Sequence, residues 1–523
     1  MAGAATLAGR TDDTVATCPH TGDRQSIIER VNEAKTTGLE KQRPVDQVRI
    51  APKQTAGRVQ REGAQAGLVS WAPLLLMCLT PFLILRVALR PVSDPDTFWH
   101  IRAGQYLWST WQFHGPEPWS RFSSHEWVLH EWVPQLALYA VWNEWGLPGI
   151  AWINAASIIL LFAALYVTCR RFSGILPAAL SAAAAWVGAS GSLSPRPQMV
   201  TFALALVFTA AWLRTASDGR PRWWLIPLSW LWACSHGMWF AGVLVGLAVI
   251  GGMALDGAIR LRDGGKLALI PGLSIGAAAL TPTGPGLLLA PLHVGEYTKY
   301  VTEWAPPTVK DPAMAMTILM TILLVISWSR SRDRAAWSAI AVLLLAVLWT
   351  LLYARTVAVG AVMLAPLVAA TLQSRLPHRR APSRTKELGA VFASVSAVVL
   401  LAAALAPHVA SIPGRVPVGF DARLSALPPG SVVYNEYALG GWLLLCHSQV
   451  APVIDPRTEV FDLQYVDKYM ASRGASTGWQ STVKASGARV AILPSGSPLA
   501  AALTGNNWKA VQHDRGYTYL VAP

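Results

Sequence analysis

Long apolar runs separated by short polar segments dominate the chain. Runs of roughly 17 to 25 residues, long enough to cross a hydrocarbon core, lie near 68–90, 149–169, 174–192, 198–214, 222–238, 239–259, 266–282, 312–329, 335–353, 356–374 and 387–411. They predict about eleven transmembrane helices. After position 411 the apolar runs shorten to strand length, with Gly, Pro, Asp and Asn between them. Ser431 to Tyr434, Ala451 to Ile454, Arg489 to Leu493 and Tyr517 to Val521 read as strands, and Leu439 to Cys446 and Asp462 to Ser472 as helices. A small α/β domain over 412–523 is expected, following a membrane domain over 68–411. Residues 1–67 are polar and aperiodic and are expected to form a disordered tail.

Composition supports this reading. Of the 523 residues, 53% are hydrophobic and only 14% charged, which excludes a water-soluble globule with an ordinary surface. The formal charge of +14 does not point to nucleic acid, because the basic residues cluster in short segments between apolar runs. Arg43, Arg49, Lys53, Arg58 and Arg61 place the amino terminus in the cytoplasm. Strict alternation then puts Arg170-Arg171, Arg214 with Arg220 and Arg222, Arg260 with Arg262 and Lys266, Arg330 to Arg334, and Arg375 to Lys386 on the same side. The alternation requires residues 91–147 to form one outer loop. Thr97 to Thr110 and Glu131 to Trp145 would then be amphipathic helices lying on the membrane, anchored by Trp99, Trp108, Trp132 and Trp142. The alternative, a short span near 130–146, would invert every later loop. The expected setting is a multi-pass protein of the plasma membrane with its α/β domain outside. The five cysteines are scattered and no CxxC occurs, so neither a disulfide framework nor a metal knuckle is indicated. No P-loop is visible, and no GxGxxG follows a strand.

With this threading, the unusual polar sequence gathers on the outer side. Ser93-Asp94-Pro95-Asp96-Thr97-Phe98-Trp99-His100 puts two carboxylates and an imidazole just after the first span. Either Asp94 or Asp96 would accept a proton from a sugar hydroxyl, or the two would bind a divalent cation. Asp96 also suits the N-cap of the next helix. His100, four residues on, would share its face and orient the carboxylate or bind phosphate. Arg196 between two prolines invites a lipid phosphate, and Arg355 the same more weakly. The alternative for Arg196 is a guanidinium that snorkels to the headgroups. His236, at the turn between two spans, is either polar filler or a site residue. Glu303, with Lys299, Tyr297, Tyr300 and Trp304, suits a sugar or headgroup contact. Glu436, Asp455 and Arg457 follow predicted strands, where ligands collect in open α/β sheets. Asp455 and Arg457 would equally form a structural ion pair.

A cytoplasmic tail, an acidic motif in a long first outer loop, many short-looped spans and an outer terminal domain resemble the GT-C class of membrane glycosyltransferases. Ser93 to Gly104 is similar to the Asp-x-Asp-x-Trp-Trp-His-x-x-x-Gly signature of a bacterial subgroup, with Phe98 replacing the first tryptophan. Arg196-Pro197-Gln198, Ser235-His236-Gly237, Glu303-Trp304 with Pro306, and Gly440-Gly441 followed by Asp455-Pro456-Arg457 match its further motifs in order. The resemblance covers residues 68–523. It implies transfer of a sugar from a polyprenyl-phosphate donor to a lipid, glycan or protein hydroxyl on the outer face, usually with inversion. Asp94 or Asp96 would be the base and Arg196 a donor-phosphate contact. Some members require a divalent cation such as Mg²⁺ or Mn²⁺ and others none, so Asp94 and Asp96 remain open as metal ligands. A lipid or oligosaccharide transporter would instead predict charges within spans and discontinuous helices. A degenerate envelope scaffold would keep the fold alone.

Overall fold

The computed structural model describes residues 56–289, 295–376 and 384–523. The expected tail up to position 55 lies outside the described residues. Helix begins at Ala56, within the stretch expected to lack structure. The main compact unit is Gly63–Pro523.

Helix falls within each of the eleven apolar runs, and one further helix follows the first of them. In chain order they are α1 (Ala56–Ala88), α2 (Pro95–Thr110), α3 (Trp132–Cys169), α4 (Ile175–Ala189), α5 (Gln198–Asp218), α6 (Leu225–Ala233), α7 (Phe240–Leu255), α8 (Leu261–Ala279), α9 (Pro312–Ser329), α10 (Trp337–Leu352), α11 (Val357–Arg375) and α12 (Arg384–Val409). Among the described residues, seven helical stretches are long and apolar enough to cross a membrane, by length and composition. The chain is therefore a multi-pass membrane protein, although fewer than eleven helices meet that criterion. The largest departure is 222–238, where α6 has only 9 residues. It nevertheless runs back along α5: Arg222 Nη1 bonds Thr215 Oγ1 at 2.7 Å, and 14 residues later His236 Nδ1 meets Thr201 Oγ1 at 2.9 Å. Thr215 to Thr201 is about 21 Å of α5 at 1.5 Å per residue, so the turns flanking α6 supply length that the helix lacks.

α3 contains a break at Gly146 (φ 58°, ψ −148°), followed by Pro148. A proline breaks the ladder and the glycine supplies the left-handed turn. The piece before Gly146 covers the stretch expected to lie on the membrane, and the piece after it the apolar run expected to span. α2 packs on the first piece, and Gly104 permits the contact: a Cβ there would collide with the Gln135 carbonyl and lie 2.7 Å from Tyr139 Cβ.

The first loop also forms a short antiparallel ribbon, β1 (His114–Pro116) with β2 (Glu126–Val128). The carboxyl-terminal region forms a five-stranded sheet from β3 (Ser431–Asn435), β4 (Val450–Pro452), β5 (Val490–Pro494), β6 (Lys509–Asp514) and β7 (Tyr517–Val521), in the order β4-β3-β5-β7-β6. β4, β3 and β5 are parallel; β7 and β6 are antiparallel additions. β6 was not expected, because it is an edge strand without apolar alternation. The helix Gly440–Cys446 seats the sheet on α2, where a Cβ on Gly441 would stand 2.6 Å from the Pro95 carbonyl.

A buried charge joins the sheet to the first loop. Arg457, 0% exposed, bonds Asp455 through Nε (2.8 Å) and Nη2 (2.7 Å) and Glu117 through Nη1 (2.6 Å). Its guanidinium lies against both Trp119 and Trp127, 4.6 and 4.9 Å from the ring centroids. Replacing Arg457 with Met would leave two buried carboxylates unpaired, at a cost of about 3–5 kcal/mol. The thermal midpoint of the variant, followed by tryptophan fluorescence in detergent, should fall by several degrees, and an unchanged midpoint would refute the strut.

Candidate active site

Asp94 precedes α2 with extended backbone angles, and its Oδ1 accepts the Asp96 N–H at 2.9 Å. Pro95 occupies the first helical position, where its missing N–H is not needed. The capping role expected for Asp96 therefore belongs to Asp94. Asp96 falls in the first turn, where the helix dipole favours negative charge.

Both carboxylates converge on Arg196. Its Nε lies 2.8 and 2.7 Å from the two Asp94 oxygens, and its Nη1 lies 2.8 Å from Asp96 Oδ2 and 2.9 Å from Glu303 Oε2. The turn before α5 fixes the guanidinium: Pro195 and Pro197 restrict its neighbours, and the Pro195 carbonyl accepts the Thr97 hydroxyl at 3.3 Å. Arg196 thus meets anions, as expected, but they are the protein's own carboxylates. Arg355 stands beside the group without an ion pair inside 4 Å among the described residues. Its Nη2 reaches Gln198 Oε1 at 3.4 Å, and its guanidinium lies 4.8 Å from the Trp304 ring centroid.

Three carboxylates around one guanidinium carry excess negative charge. Burial pushes the Asp96 carboxyl up to about 7; Arg196 opposes this, while Asp94 and Glu303 add to it. Burial also works against the charge on Arg196, but Asp96, Asp94 and Glu303 hold its proton more tightly than in a free arginine. Side-chain exposure separates the two aspartates: 25% for Asp96 against 13% for Asp94, which has both oxygens on Arg196. Asp96 is the more exposed of the two aspartates, although Asp94 and Glu303, rather than Asp96, line the adjoining cavities.

Glu131, immediately before α3, forms a second centre that the sequence reading used only to mark a helix boundary. Its Oε1 lies 3.7 Å from His236 Nε2 and 3.8 Å from His130 Nε2, and its Oε2 lies 3.8 Å from His100 Nδ1. His236 Nδ1 accepts the Met238 N–H at 3.3 Å, so its proton is assigned to Nε2, facing Glu131. His130 Nδ1 faces the Val128 carbonyl at 3.4 Å, which leaves Nε2 as an acceptor toward the same oxygen. Burial raises Glu131 to about 7, against Arg355, the Gly237 N–H and Arg196. His100 turns toward α3 rather than Asp96: Gln135 Nε2 meets its Nδ1 at 3.2 Å. Burial, followed by the charge of Arg196, keeps this imidazole neutral. The adjacent pair His130-Glu131 was the available sequence signal, but nothing local shows that His100 and His236 meet it.

Two cavities flank the carboxylates. One, of about 230 Å³, is lined by Asp94, Glu303, Arg355, Gln198, Asp311 and Arg90. The other, of about 250 Å³, lies between Arg90, Asp94, Arg196 and Arg415. The two additional arginines were not anticipated. The remaining expected site residues are engaged elsewhere: Glu436 bonds Arg473 at 2.6 Å, and Asp455 and Arg457 are the buried ion pair described above. Their side chains neutralise one another because the sheet ends against the first loop rather than in an open crevice.

A divalent cation does not fit the Asp94 and Asp96 carboxylates as they stand, because a guanidinium occupies the position between them. Among the described residues no group of three or more His, Cys, Asp or Glu is arranged to hold a metal ion.

The fold has a solved counterpart. The crystal structure of the Archaeoglobus fulgidus oligosaccharyltransferase in the apo form is similar over 81% of this chain and 69% of that one, with a TM-score of 0.56 and 11% identity. The likeness defines a GT-C-like membrane fold. No family model and no curated protein matches the sequence.

The folded chain keeps a proton on Asp96 up to about pH 7, whereas the unfolded chain releases it near the ordinary value of 3.8. The folded state therefore binds more protons across this window, and stability falls as pH rises from about 4 to about 7. Asp96→Asn should flatten this slope in melting curves taken across the window, and a slope identical to wild type would contradict the assignment.

Proposed function

We propose that the protein transfers a sugar, or a preassembled oligosaccharide, from a polyprenyl-phosphate carrier to a hydroxyl of a lipid, glycan or protein on the outer face of the membrane. The single observation that carries this reading is the gathering of the proton-avid Asp96 with Asp94 and Glu303 on Arg196, with Arg355 at its edge, in a GT-C-like fold. Asp96 acts as the general base. It takes the acceptor hydroxyl proton while the acceptor oxygen bonds to the anomeric carbon and the bond from that carbon to the carrier's phosphate oxygen breaks, with inversion. Asp94 holds the helix start and Arg196, and Arg196 in turn fixes Asp96 and Glu303. Arg355, stacked on Trp304, is the better donor-phosphate contact, since Arg196 is already surrounded by carboxylates. The neutral imidazole of His100 and the Glu131 carboxyl belong to the second centre, on the side of α3.

The Asp-Pro-Asp motif remains open to a divalent cation only if Arg196 withdraws from it. Any metal requirement would then appear as loss of activity with a chelator and recovery on adding Mg²⁺ or Mn²⁺. The amino terminus is assigned to the cytoplasm and the carboxyl-terminal α/β region to the outside on the distribution of basic residues.

The test is sugar transfer from membranes or purified lipid carriers. Asp96→Asn should lower kcat at least 100-fold, the scale of a lost general base, with normal expression. Arg355→Gln should mainly raise KM for the donor. Wild-type transfer should decline as pH falls below about 7, where Asp96 gains its proton. Normal transfer by Asp96→Asn would overturn the reading.

A further inference from the structure

A cavity larger than the two at the carboxylate cluster lies at the other end of the helix bundle. It has a volume of about 930 Å³ and lies between the end of α3, the second half of α5, the start of α10 and the second half of α11. Along α5, Gln198 at the carboxylate cluster and Arg214 at this cavity are 16 residues apart, about 24 Å at 1.5 Å per residue. The space exists because facing positions carry small side chains, among them Ala210, Ala211, Ala339 and Ala370, and because Pro366 stands in the wall. A proline leaves a helix carbonyl without its partner and adds no bulk that would close the gap.

Its rim is cationic. Arg171, Arg214 and Arg222 line it, against one acid, Asp218, so three positive charges less one negative leave +2. Asp218 is committed to Arg222, at 3.1 and 2.8 Å, and lies 4.0 Å from Arg214. Arg171 makes no ion pair inside 4 Å among the described residues. Trp224, 49% exposed, adds an amphipathic ring at the same level. An apolar interior below a ring of arginines complements an anionic amphiphile: acyl chains fill the interior and a phosphate faces the guanidiniums.

We propose that this cavity binds one anionic phospholipid of the surrounding bilayer. A free phosphate would leave the apolar walls empty, and a donor lipid here would hold its phosphate about 24 Å along α5 from the end that carries the carboxylate cluster. The proposal rests on the membrane fold and not on glycosyl transfer.

The experiment is native mass spectrometry of the full chain released from nanodiscs of equal phosphatidylglycerol and phosphatidylcholine. Wild type should retain one phosphatidylglycerol in clear preference to phosphatidylcholine. Arg171→Gln with Arg214→Gln should weaken that retention roughly thirty-fold, about five-fold per arginine, while Lys at both positions keeps most of it. Ala370→Phe, which fills the cavity and leaves the arginines in place, should also lose the lipid while melting as wild type does. Equal retention of the two lipids, or unchanged retention in the Gln double variant, would overturn the proposal. Displacement of the bound lipid by an equimolar short-chain polyprenyl phosphate would overturn its bilayer source.

Discussion

The Arg196 guanidinium is the interaction on which the arrangement of the site depends. It binds Asp94, Asp96 and Glu303 at 2.7 to 2.9 Å, drawing together the start of α2, the turn before α5 and the loop before α9. A buried arginine without anions would be expensive, and three clustered carboxylates without a cation would repel one another. Each therefore requires the other, and the protein reaches a stable arrangement only when all three segments are in place. The excess negative charge that remains is relieved by a proton, and Asp96 is the group that carries it. The same electrostatics that assemble the site thus give it an acid-base group near neutrality.

α2 transmits this local order to the rest of the molecule. Phe98 and Ile101 pack into the core of the membrane helices, whereas Ala103 and Leu107 belong to the core shared by the first loop and the sheet. Glycines set its distance from its neighbours: Gly104 admits the backbone of α3, and Gly441 admits the helix that seats the sheet against Pro95 and Trp99. On the far side of the first loop, Arg457 locks β-sheet and loop through Asp455 and Glu117. The carboxylates are consequently mounted on a helix fixed along both faces, as a site requiring sub-ångström placement needs.

Around this frame the polar groups divide between two centres. Asp94, Asp96, Glu303 and Arg196 form one, with Arg355 held by Gln198 and Trp304 at its edge. Glu131 and the imidazoles of His100, His130 and His236 form the other, with separations of 3.7 to 3.8 Å that are longer than hydrogen bonds. Both centres feel the charges of Arg196 and Arg355.

The sequence alone determined which stretches are apolar and helical, the separate character of the segment after 411 and the concentration of unusual polar motifs between the helices, because apolar length and local periodicity are properties of neighbouring residues. β7 was legible to the residue, and β3 and β5 nearly so, since apolar residues flanked by turn formers mark buried strands. The edge strand β6 was not, because it is held by pairing with β7 rather than by a pattern of its own, and the apolar run 222–238 gave no sign that its helix spans only 9 residues. Asp94, Asp96, Arg196 and Arg355 could be singled out as costly charges beside a membrane. Tertiary structure alone decided that Asp94 caps while Asp96 is the more exposed, that Arg196 is neutralised from within, that Asp455 and Arg457 hold the scaffold, and that Glu131 lies among three histidines. These outcomes depend on which distant charges meet after folding, and Coulombic partners separated by a hundred residues leave no periodic trace in the chain.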